Sequence, residues 1–226
     1  MARMDHHAVR AAIREAARHT FRRLREEKSG ERFYAFALCS DEEAQGACAS
    51  ANTEEGFLRK LDRSESSRPR TEAIIARHGM SWADYTNYYR WNLPEWAYHS
   101  SDEGELFRAL DPLLPHPLPD EDDEPEALLD HRARLYSAMV LAMKDLDAEG
   151  FFGRDEERAA VVLLCDLVEP PEKYWFAVES ARRLNPPQVF DGFLKQWMVW
   201  LSPSDRVIVD DPAAHSPVYR PLVACF

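Results

Sequence analysis

The sequence predicts a single α+β domain, with a mostly antiparallel sheet of about four to five strands and helices packed mainly on one face. Aromatic and small residues dominate 32–39, and a near-continuous apolar run covers 159–166. Both compositions are typical of strands. Two long segments, one at the N-terminus and one over 128–148, place apolar residues at helical spacing. Shorter strands are predicted near 46–50 and 95–99.

The size and composition of the chain predict an ordinary globular domain. Its 226 residues suit one domain of roughly 200 residues, which is large enough to form a stable core without disulfides or bound metals. Hydrophobic residues make up 45% and charged residues 30%, a balance that excludes an intrinsically disordered protein. No apolar run approaches the ~20 residues that span a bilayer, and the N-terminus lacks the apolar stretch of a signal peptide. We therefore expect a cytoplasmic protein without a membrane partner.

An N-terminal helix is predicted within residues 1–30. Asp5 is a suitable N-cap, and Ser29-Gly30 ends the helix. Residues 3–28 carry eight Lys and Arg against four acids, a charge that also permits a transit peptide or a basic membrane-surface helix. The acids count against the first alternative, and an apolar face made mostly of Ala counts against the second. We expect a helix packed on the sheet through Val9, Ile13, Ala16, Ala17, Phe21 and Leu24.

A hairpin is predicted where the first strand turns through the polar segment 40–46 into the second. This turn would bring Cys39 and Cys48 within reach of each other, and the sequence leaves open whether they are paired. The other cysteines are Cys165 and Cys225, and the chain has no CxxC pair and no His at zinc-ligand spacing. We therefore expect no metal site, and reduced thiols in the cytoplasm.

Two helices are predicted after the hairpin, over about 52–61 and from about 71 to 78, with a polar stretch over 62–70 between them. Glu54 and Glu55 lie in the first turn of the first helix, where the positive end of the helix dipole favours acids. An electrostatic role at the helix start is therefore favoured over a catalytic role for this pair.

The segment 82–98 holds seven aromatic residues in seventeen positions, far above the 11% of the whole chain. Three interpretations stay open: core filling, a protein-binding patch in which Arg90 joins the rings, and a ligand pocket. Pro94 limits the extended stretch predicted here to a sheet edge or a strand entry. The seven aromatic residues are Trp82, Tyr85, Tyr88, Tyr89, Trp91, Trp96 and Tyr98.

The second half of the chain is predicted to add helices and one buried strand to the same domain. The segment 112–126 is rich in proline and holds six acids over 120–126, which predicts a solvated loop. Gly150 stands where a helix C-cap belongs. The residues 202–226 are predicted as an irregular tail with a short strand over 206–209. The predicted helices cover 101–111, 128–148, 171–184 and 186–201.

The chain lacks the common local motifs of phosphate, nucleophilic and zinc-dependent chemistry: GxxxxGK[ST], GxGxxG, GxSxG and HExxH. The formal net charge of −12 counts against nucleic acid as a partner, because phosphate binding needs a basic surface. We expect no cofactor, and the sequence leaves open whether the protein is an enzyme while favouring one that is not.

The strongest candidate for acid–base chemistry is a pair in the aromatic segment. Glu95 and His99 flank Trp96 at a spacing of four residues, and a carboxylate can orient an imidazole. In an extended segment four residues span ~13 Å, so the two side chains need not meet. Glu149, which precedes Gly150, is the third acid of this alternative.

Four segments carry a family resemblance: Phe33–Leu38, Ala51–Gly56, Arg90-Trp91 with Glu95–His99, and Leu146–Gly153. In this order and spacing they resemble the bacterial domain-of-unknown-function family 4303, over about residues 5 to 185. The resemblance implies an α+β fold and no established catalytic residues. It also implies a role of the immunity type, since members resemble the small proteins found beside polymorphic toxin genes. The acidic loop and the tail after about residue 200 depart from the family's pattern.

The sequence favours a protein-binding module, an immunity protein that neutralises a cognate toxin. Electrostatic steering would bring a basic toxin to a protein of net charge −12. The alternatives are a small-molecule enzyme that uses Glu95, His99 and Glu149, and a structural or accessory subunit whose aromatic cluster is core. The oligomeric state and the presence of a pocket stay open. The candidate binding residues are Arg90, Trp91, Glu95, Trp96, His99, Glu54 and Glu149.

Overall fold

A computed structural model describes residues 4–41, 43–66, 68–77, 79–100, 104–114, 125–167 and 173–200. The strands are β1 (Phe33–Ser40), β2 (Cys48–Thr53), β3 (Tyr98–His99) and β4 (Val162–Leu167). The helices are α1 (His6–Glu27), α2 (Glu54–Ser66), α3 (Arg68–Arg77), α4 (Trp82–Trp91), α5 (Gly104–Phe107), α6 (Pro125–Ala148), α7 (Asp155–Ala159), α8 (Lys173–Leu184) and α9 (Pro187–Trp197). The predicted strand over 206–209, the tail 202–226 and most of the acidic loop 112–126 lie outside the described residues.

The four strands form one sheet in the order β3–β2–β1–β4. β1 and β2 are antiparallel, with Cys39 opposite Cys48, and β2 and β3 are antiparallel, with Ser50 opposite His99. β1 and β4 are parallel, so the sheet is mixed with a majority of antiparallel pairings. The predicted α+β fold with a mostly antiparallel sheet is confirmed.

Helices cover both faces of the sheet, which corrects the prediction that they lie mainly on one. Phe36 and Leu38 of β1 belong to the apolar cluster that includes α1 and α6. The alternate residues Ala37 and Cys39 belong to the cluster that includes α4 and α9. Every residue of β1 after Phe33 is buried. A near-continuous apolar run is typical of a strand that is buried on both faces, and the sequence of β1 is such a run.

The predicted N-terminal helix is present as α1. The Asp5 carboxylate accepts hydrogen bonds from the backbone of His7 and Ala8, at 3.0 and 3.2 Å, as expected of an N-cap. The predicted apolar residues are buried against the sheet. Arg10 donates to Asp145 of α6 at 2.7 Å and ties the two long helices together. Within the described part of the chain, no helix has both the length and the apolar character to cross a membrane.

The segment after the hairpin is more helical than predicted. α2 continues to Ser66 and α3 begins at Arg68, so the described residues of the polar stretch 62–70 are helical rather than a loop. Polar composition does not exclude an exposed helix, because Arg, Glu and Lys are good helix formers. The aromatic segment then forms α4, whose start is closed by a capping box between Ser81 and Asp84.

The predicted strand over 95–99 is reduced to Tyr98 and His99. It is preceded by a short 3-10 turn over Leu93–Glu95. Pro94 stands in the first positions of this turn, where its lack of an N–H costs nothing and its fixed φ suits the helical backbone. The proline therefore shortens the edge strand.

Two glycines explain why the segments Ala51–Gly56 and Leu146–Gly153 have their sequences. Gly56 donates its N–H to Thr53 Oγ1 at 2.9 Å, and a Cβ at this position would lie 2.7 Å from the Cβ of Ala97. Gly150 has a φ of +77°, and the following N–H of Phe151 donates to the Leu146 carbonyl at 3.0 Å. This is the predicted C-cap of α6, in the left-handed conformation that favours glycine.

Candidate functional site

A cleft of about 400 Å³ opens where β1 and β4 end. Ligands of open α/β sheets bind outside the carboxyl ends of the parallel strands, and β1 and β4 are the parallel pair of this sheet. The volume lies within the usual range for small-molecule sites. The cleft is lined by Cys39, Cys48, Ser50, Leu93, Pro94, His99, Ser100, Asp166 and Leu167.

The edge of the sheet holds the imidazole of His99 in place. Ser50 and His99 lie opposite each other on β2 and β3, and Ser50 Oγ is 3.0 Å from His99 Nδ1. The next residue, Ser100, accepts a hydrogen bond from the Ala49 N–H at 2.9 Å and fixes the end of the strand. The position of the ring therefore follows from strand pairing.

The environment of His99 favours the neutral imidazole. Partial burial lowers the pKa of His99, a hydrogen bond with the Trp96 backbone opposes this shift, and the positive charge of Lys60 adds to it. The negative charge of Glu95 works in the opposite direction, and the net pKa is lowered. At neutral pH His99 is thus a polar, uncharged group in the wall of the cleft.

The other described residues of the lining supply apolar surface and a carboxylate. Leu93, Pro94 and Leu167 supply the apolar surface, and Asp166 supplies the carboxylate. Asp166 Oδ1 accepts the N–H of Leu167 at 2.8 Å, which orients the carboxylate at the end of β4. Among the described residues that line the cleft there is no Lys or Arg, and this part of the lining suits an apolar ligand that is neutral or positively charged.

Two cysteines form one wall of this cleft. Cys39 and Cys48 are joined as a disulfide between the paired strands β1 and β2, with a Cα–Cα distance of 5.2 Å. The pairing that the sequence left open is therefore present, and the expectation of reduced thiols is wrong for these two cysteines. The described free cysteine, Cys165, is fully buried in the cluster on the α1 side of the sheet, and this burial raises the pKa of its thiol.

Arg90 and Glu54, both predicted as binding residues, form an ion pair with each other and are partly buried. Arg90 Nη1 donates to Glu54 Oε2 at 2.9 Å, and the guanidinium lies 4.0 Å from the centroid of the Tyr34 ring. Tyr34 Oη donates to the Arg90 carbonyl at 2.9 Å and accepts from Asn52 Nδ2 at 2.8 Å. Burial raises the pKa of the Tyr34 hydroxyl, which stays protonated. This network joins α2, α4 and β1 and does not line the cleft.

Trp91 and Trp96 are core residues. Their exposed fractions are 4% and 1%, and each indole N–H has an internal acceptor. Trp91 Nε1 donates to Gln196 Oε1 and Trp96 Nε1 donates to the Arg90 carbonyl, both at 3.0 Å. Of the three interpretations of the aromatic segment, the structure supports core filling for these two rings.

Glu95 and Glu149 belong to separate contacts. Glu95 pairs with Lys60 of α2 at 3.3 Å, close enough to His99 to influence its pKa. Glu149 follows the end of α6 and pairs with Arg18 of α1 at 2.6 Å. The structure does not bring Glu95, His99 and Glu149 together, and of the seven predicted residues only His99 lines the cleft.

A cluster around Glu31 was not predicted. Its carboxylate accepts hydrogen bonds from Thr53 Oγ1 at 2.5 Å, from Tyr98 Oη at 2.6 Å and from Arg59 at 3.0 Å. Burial opposes ionisation, but these donors together lower the pKa of Glu31. The cluster ties the ends of β2 and β3 to α2, and no local sequence pattern announces contacts between such distant positions.

The sequence also missed three polar residues of the cleft. Asp166 could have been found, because it is a partly buried acid that interrupts the apolar run of β4 near the end of the strand. Ser50 and Ser100 carry no local signal, since their role depends on the pairing of β2 with β3. Among the residues that the structure describes, no group of three His, Cys, Asp or Glu side chains is placed to hold a metal ion.

Comparison with known proteins identifies a family that matches this chain. Residues 13–186 match the family described as a domain of unknown function (DUF4303). No curated protein and no solved structure matches the chain. The matched region contains β1 to β4, and with them every described residue that lines the cleft. Because the match covers most of its length, this chain belongs to the DUF4303 family.

Proposed function

We propose that this protein binds a small molecule in the cleft between the ends of β1 and β4. The observation that carries the proposal is the convergence of an oriented imidazole, a carboxylate and apolar walls on one concavity of about 400 Å³. Small-molecule sites combine mostly apolar walls with a few fixed polar groups in this way. The groups come from different strands, so the fold itself assembles the cleft.

The ligand that fits this lining has an apolar body and a neutral or cationic polar group. Asp166 would attract an ammonium group, and a neutral His99 would hydrogen-bond a polar atom without attracting an anion. The net charge of −12 further disfavours anionic ligands over cationic ones. We therefore propose amines with an aromatic or aliphatic body as the ligand class.

A fragment screen by nuclear magnetic resonance tests this proposal. Amines and carboxylates of matched size and shape are added separately to the full chain, and amide shifts map where each binds. We expect amines to shift Ser50, His99 and Asp166 and the matched carboxylates to leave them unchanged. Equal response to both sets would remove the proposed charge preference, and no response at these residues would remove the proposed site.

The predicted protein-binding role, of the immunity type, is a second proposed function. It rests on the net charge of −12 and on the acids concentrated over 120–126, which suit a basic protein partner. Pull-down from the native host should recover a basic partner, and replacing the acids over 120–126 by their amides should slow association. Failure to recover a stable partner, together with no protection against a neighbouring toxin, would contradict this role.

A further inference from the structure

The hairpin of β1 and β2 keeps the two cysteines of the disulfide close together, in addition to the bond between their sulfurs. Cys39 and Cys48 are opposite residues of β1 and β2, and pairing continues through Leu38 with Ala49 and Ala37 with Ser50. The strands therefore keep the two sulfurs close whether or not they are bonded. The Cα–Cα distance of 5.2 Å suits an unstrained disulfide, so closure needs no backbone movement.

The two cysteines differ in exposure. Both cysteines line the cleft, but Cys48 is only partly buried, whereas Cys39 is 6% exposed. Cys39 Sγ lies 3.8 Å from Ser50 Oγ and 3.6 Å from the Cys48 carbonyl oxygen. A hydroxyl and a carbonyl are thus already in place beside the sulfur that would be released if Cys48 were attacked.

We propose that the Cys39–Cys48 disulfide is a thiol-exchange site for low-molecular-mass thiols that enter the cleft. The site uses the cleft but does not require that an amine be its usual ligand. In the predicted cytoplasmic location, persistent disulfides are rare and exchangeable ones are the usual kind.

The exchange takes two balanced steps. The incoming thiol loses its proton to solvent, and its thiolate attacks Cys48 Sγ. The bond between the two cysteine sulfurs breaks, and its electron pair leaves on Cys39 Sγ, which then takes a proton from solvent. A second thiolate attacks the external sulfur of the mixed disulfide, releases the oxidised small thiol and leaves Cys48 to be protonated. Two small thiols are oxidised and one protein disulfide is reduced; the reverse steps, with a small disulfide as oxidant, close the pair again.

Cys165 provides a control within the same chain. It is fully buried on the face of the sheet that α1 and α6 cover, whereas Cys39 lies on the opposite face. Burial raises the pKa of the Cys165 thiol, so little of the reactive thiolate forms. A reagent that enters the cleft should therefore distinguish the pair from Cys165 without any change to the fold.

The first experiment uses the full chain with Cys225→Ser, equilibrated in mixtures of cysteamine and its disulfide cystamine of increasing reducing power, because this small cationic thiol suits the charge of the cleft. Native alkylation followed by peptide mass spectrometry reports each cysteine. We expect Cys39 and Cys48 to become alkylated together as the buffer becomes more reducing, and Cys165 only after unfolding. If the pair stays unmodified in the native protein at every ratio, or is never oxidised at any ratio, the proposal is overturned.

The second experiment tests the direction of attack. With cystamine, Cys39→Ser should capture cysteamine on Cys48 at least about tenfold faster than Cys48→Ser captures it on Cys39. Circular dichroism melting confirms that both variants fold, and the wild-type titration stands alone if either does not. Equal or reversed rates would contradict attack at Cys48. The exchange is measured with no amine ligand other than the thiol probe itself, and amine binding is measured without a thiol, so failure of one proposal is distinguishable from failure of the other.

Discussion

Ser50 Oγ and His99 Nδ1 lie 3.0 Å apart across the pairing of β2 and β3, in the wall of the cleft. Ser50 is fully buried, and its hydroxyl lies between His99 Nδ1 and Cys39 Sγ, which is 3.8 Å away. The contact therefore fixes the ring of His99 by means of the sheet. A ligand that enters the cleft meets an imidazole whose position is set before binding, which lowers the cost of ordering it.

His99 should titrate below its ordinary pKa of 6.5, because partial burial disfavours the imidazolium. His99 then binds a proton more readily in the unfolded chain than in the folded one. Its contribution to the free energy of unfolding is therefore complete above pH 6.5 and is lost as the pH falls through the pKa of the folded state. Imidazole shifts in nuclear magnetic resonance, assigned with His99→Gln, measure the midpoint. A midpoint at or above 6.5 would contradict the described environment.

Gly56→Ala should destabilise the fold. The added Cβ would lie 2.7 Å from Ala97 Cβ and 2.9 Å from Thr53 Oγ1, and we expect a loss of about 1–3 kcal/mol in urea unfolding. Gly192→Ala in α9 is the matched control, since its Cβ meets nothing within 4 Å. That change should stabilise the protein by about 0.5–1 kcal/mol. Similar effects of the two changes would argue against the close packing of α2 on Ala97.

Arg158→Met should cost about 3–5 kcal/mol of unfolding free energy, because the side chain is a buried connector. Arg158 donates to Asp147, and at 2.7 Å to each of the carbonyls of Val161 and Leu184. Its loss leaves these acceptors without their donor. The more exposed Arg183→Met, which removes an ion pair with Glu179, should cost about 0.5 kcal/mol or less. A comparable cost for both would show that Arg158 does not connect these elements.

Arg90→Gln tests whether the network around Tyr34 is structural or part of a binding surface. It removes the ion pair with Glu54 and the contact with the Tyr34 ring, and we expect a loss of about 1–2 kcal/mol in stability. Amine binding in the cleft should stay within about twofold of the wild type, since Arg90 does not line it. Lost binding with unchanged stability would assign Arg90 to the ligand site.

The parts of the fold that depend on local physics were predictable. Asp5 caps α1 and Gly150 ends α6 because capping chemistry is written in neighbouring residues. The bounds of β1 were predicted within one residue and those of β4 within three, from their apolar composition. That composition also indicated strands covered on both faces, and the prediction of one covered face ignored it.

The site depended on long-range pairing and was only partly predictable. His99 was identified from its residue type and its neighbours, but its partner Ser50 lies 49 positions away and meets it only through the sheet. Arg90, Trp91 and Trp96 have the composition of a binding patch, yet their hydrogen bonds are internal. Composition cannot separate a core cluster from a surface cluster when both use aromatic rings and arginine.

In the proposed function, the cleft binds an amine through Asp166. The most direct test is the dissociation constant of the best amine fragment, measured by calorimetry for the wild type, Asp166→Asn and the control Asp191→Asn on the exposed side of α9. We predict that Asp166→Asn raises the dissociation constant by about tenfold or more, as expected for the loss of a charge-assisted hydrogen bond, and that Asp191→Asn leaves it unchanged. Equal dissociation constants for all three proteins would contradict the claim.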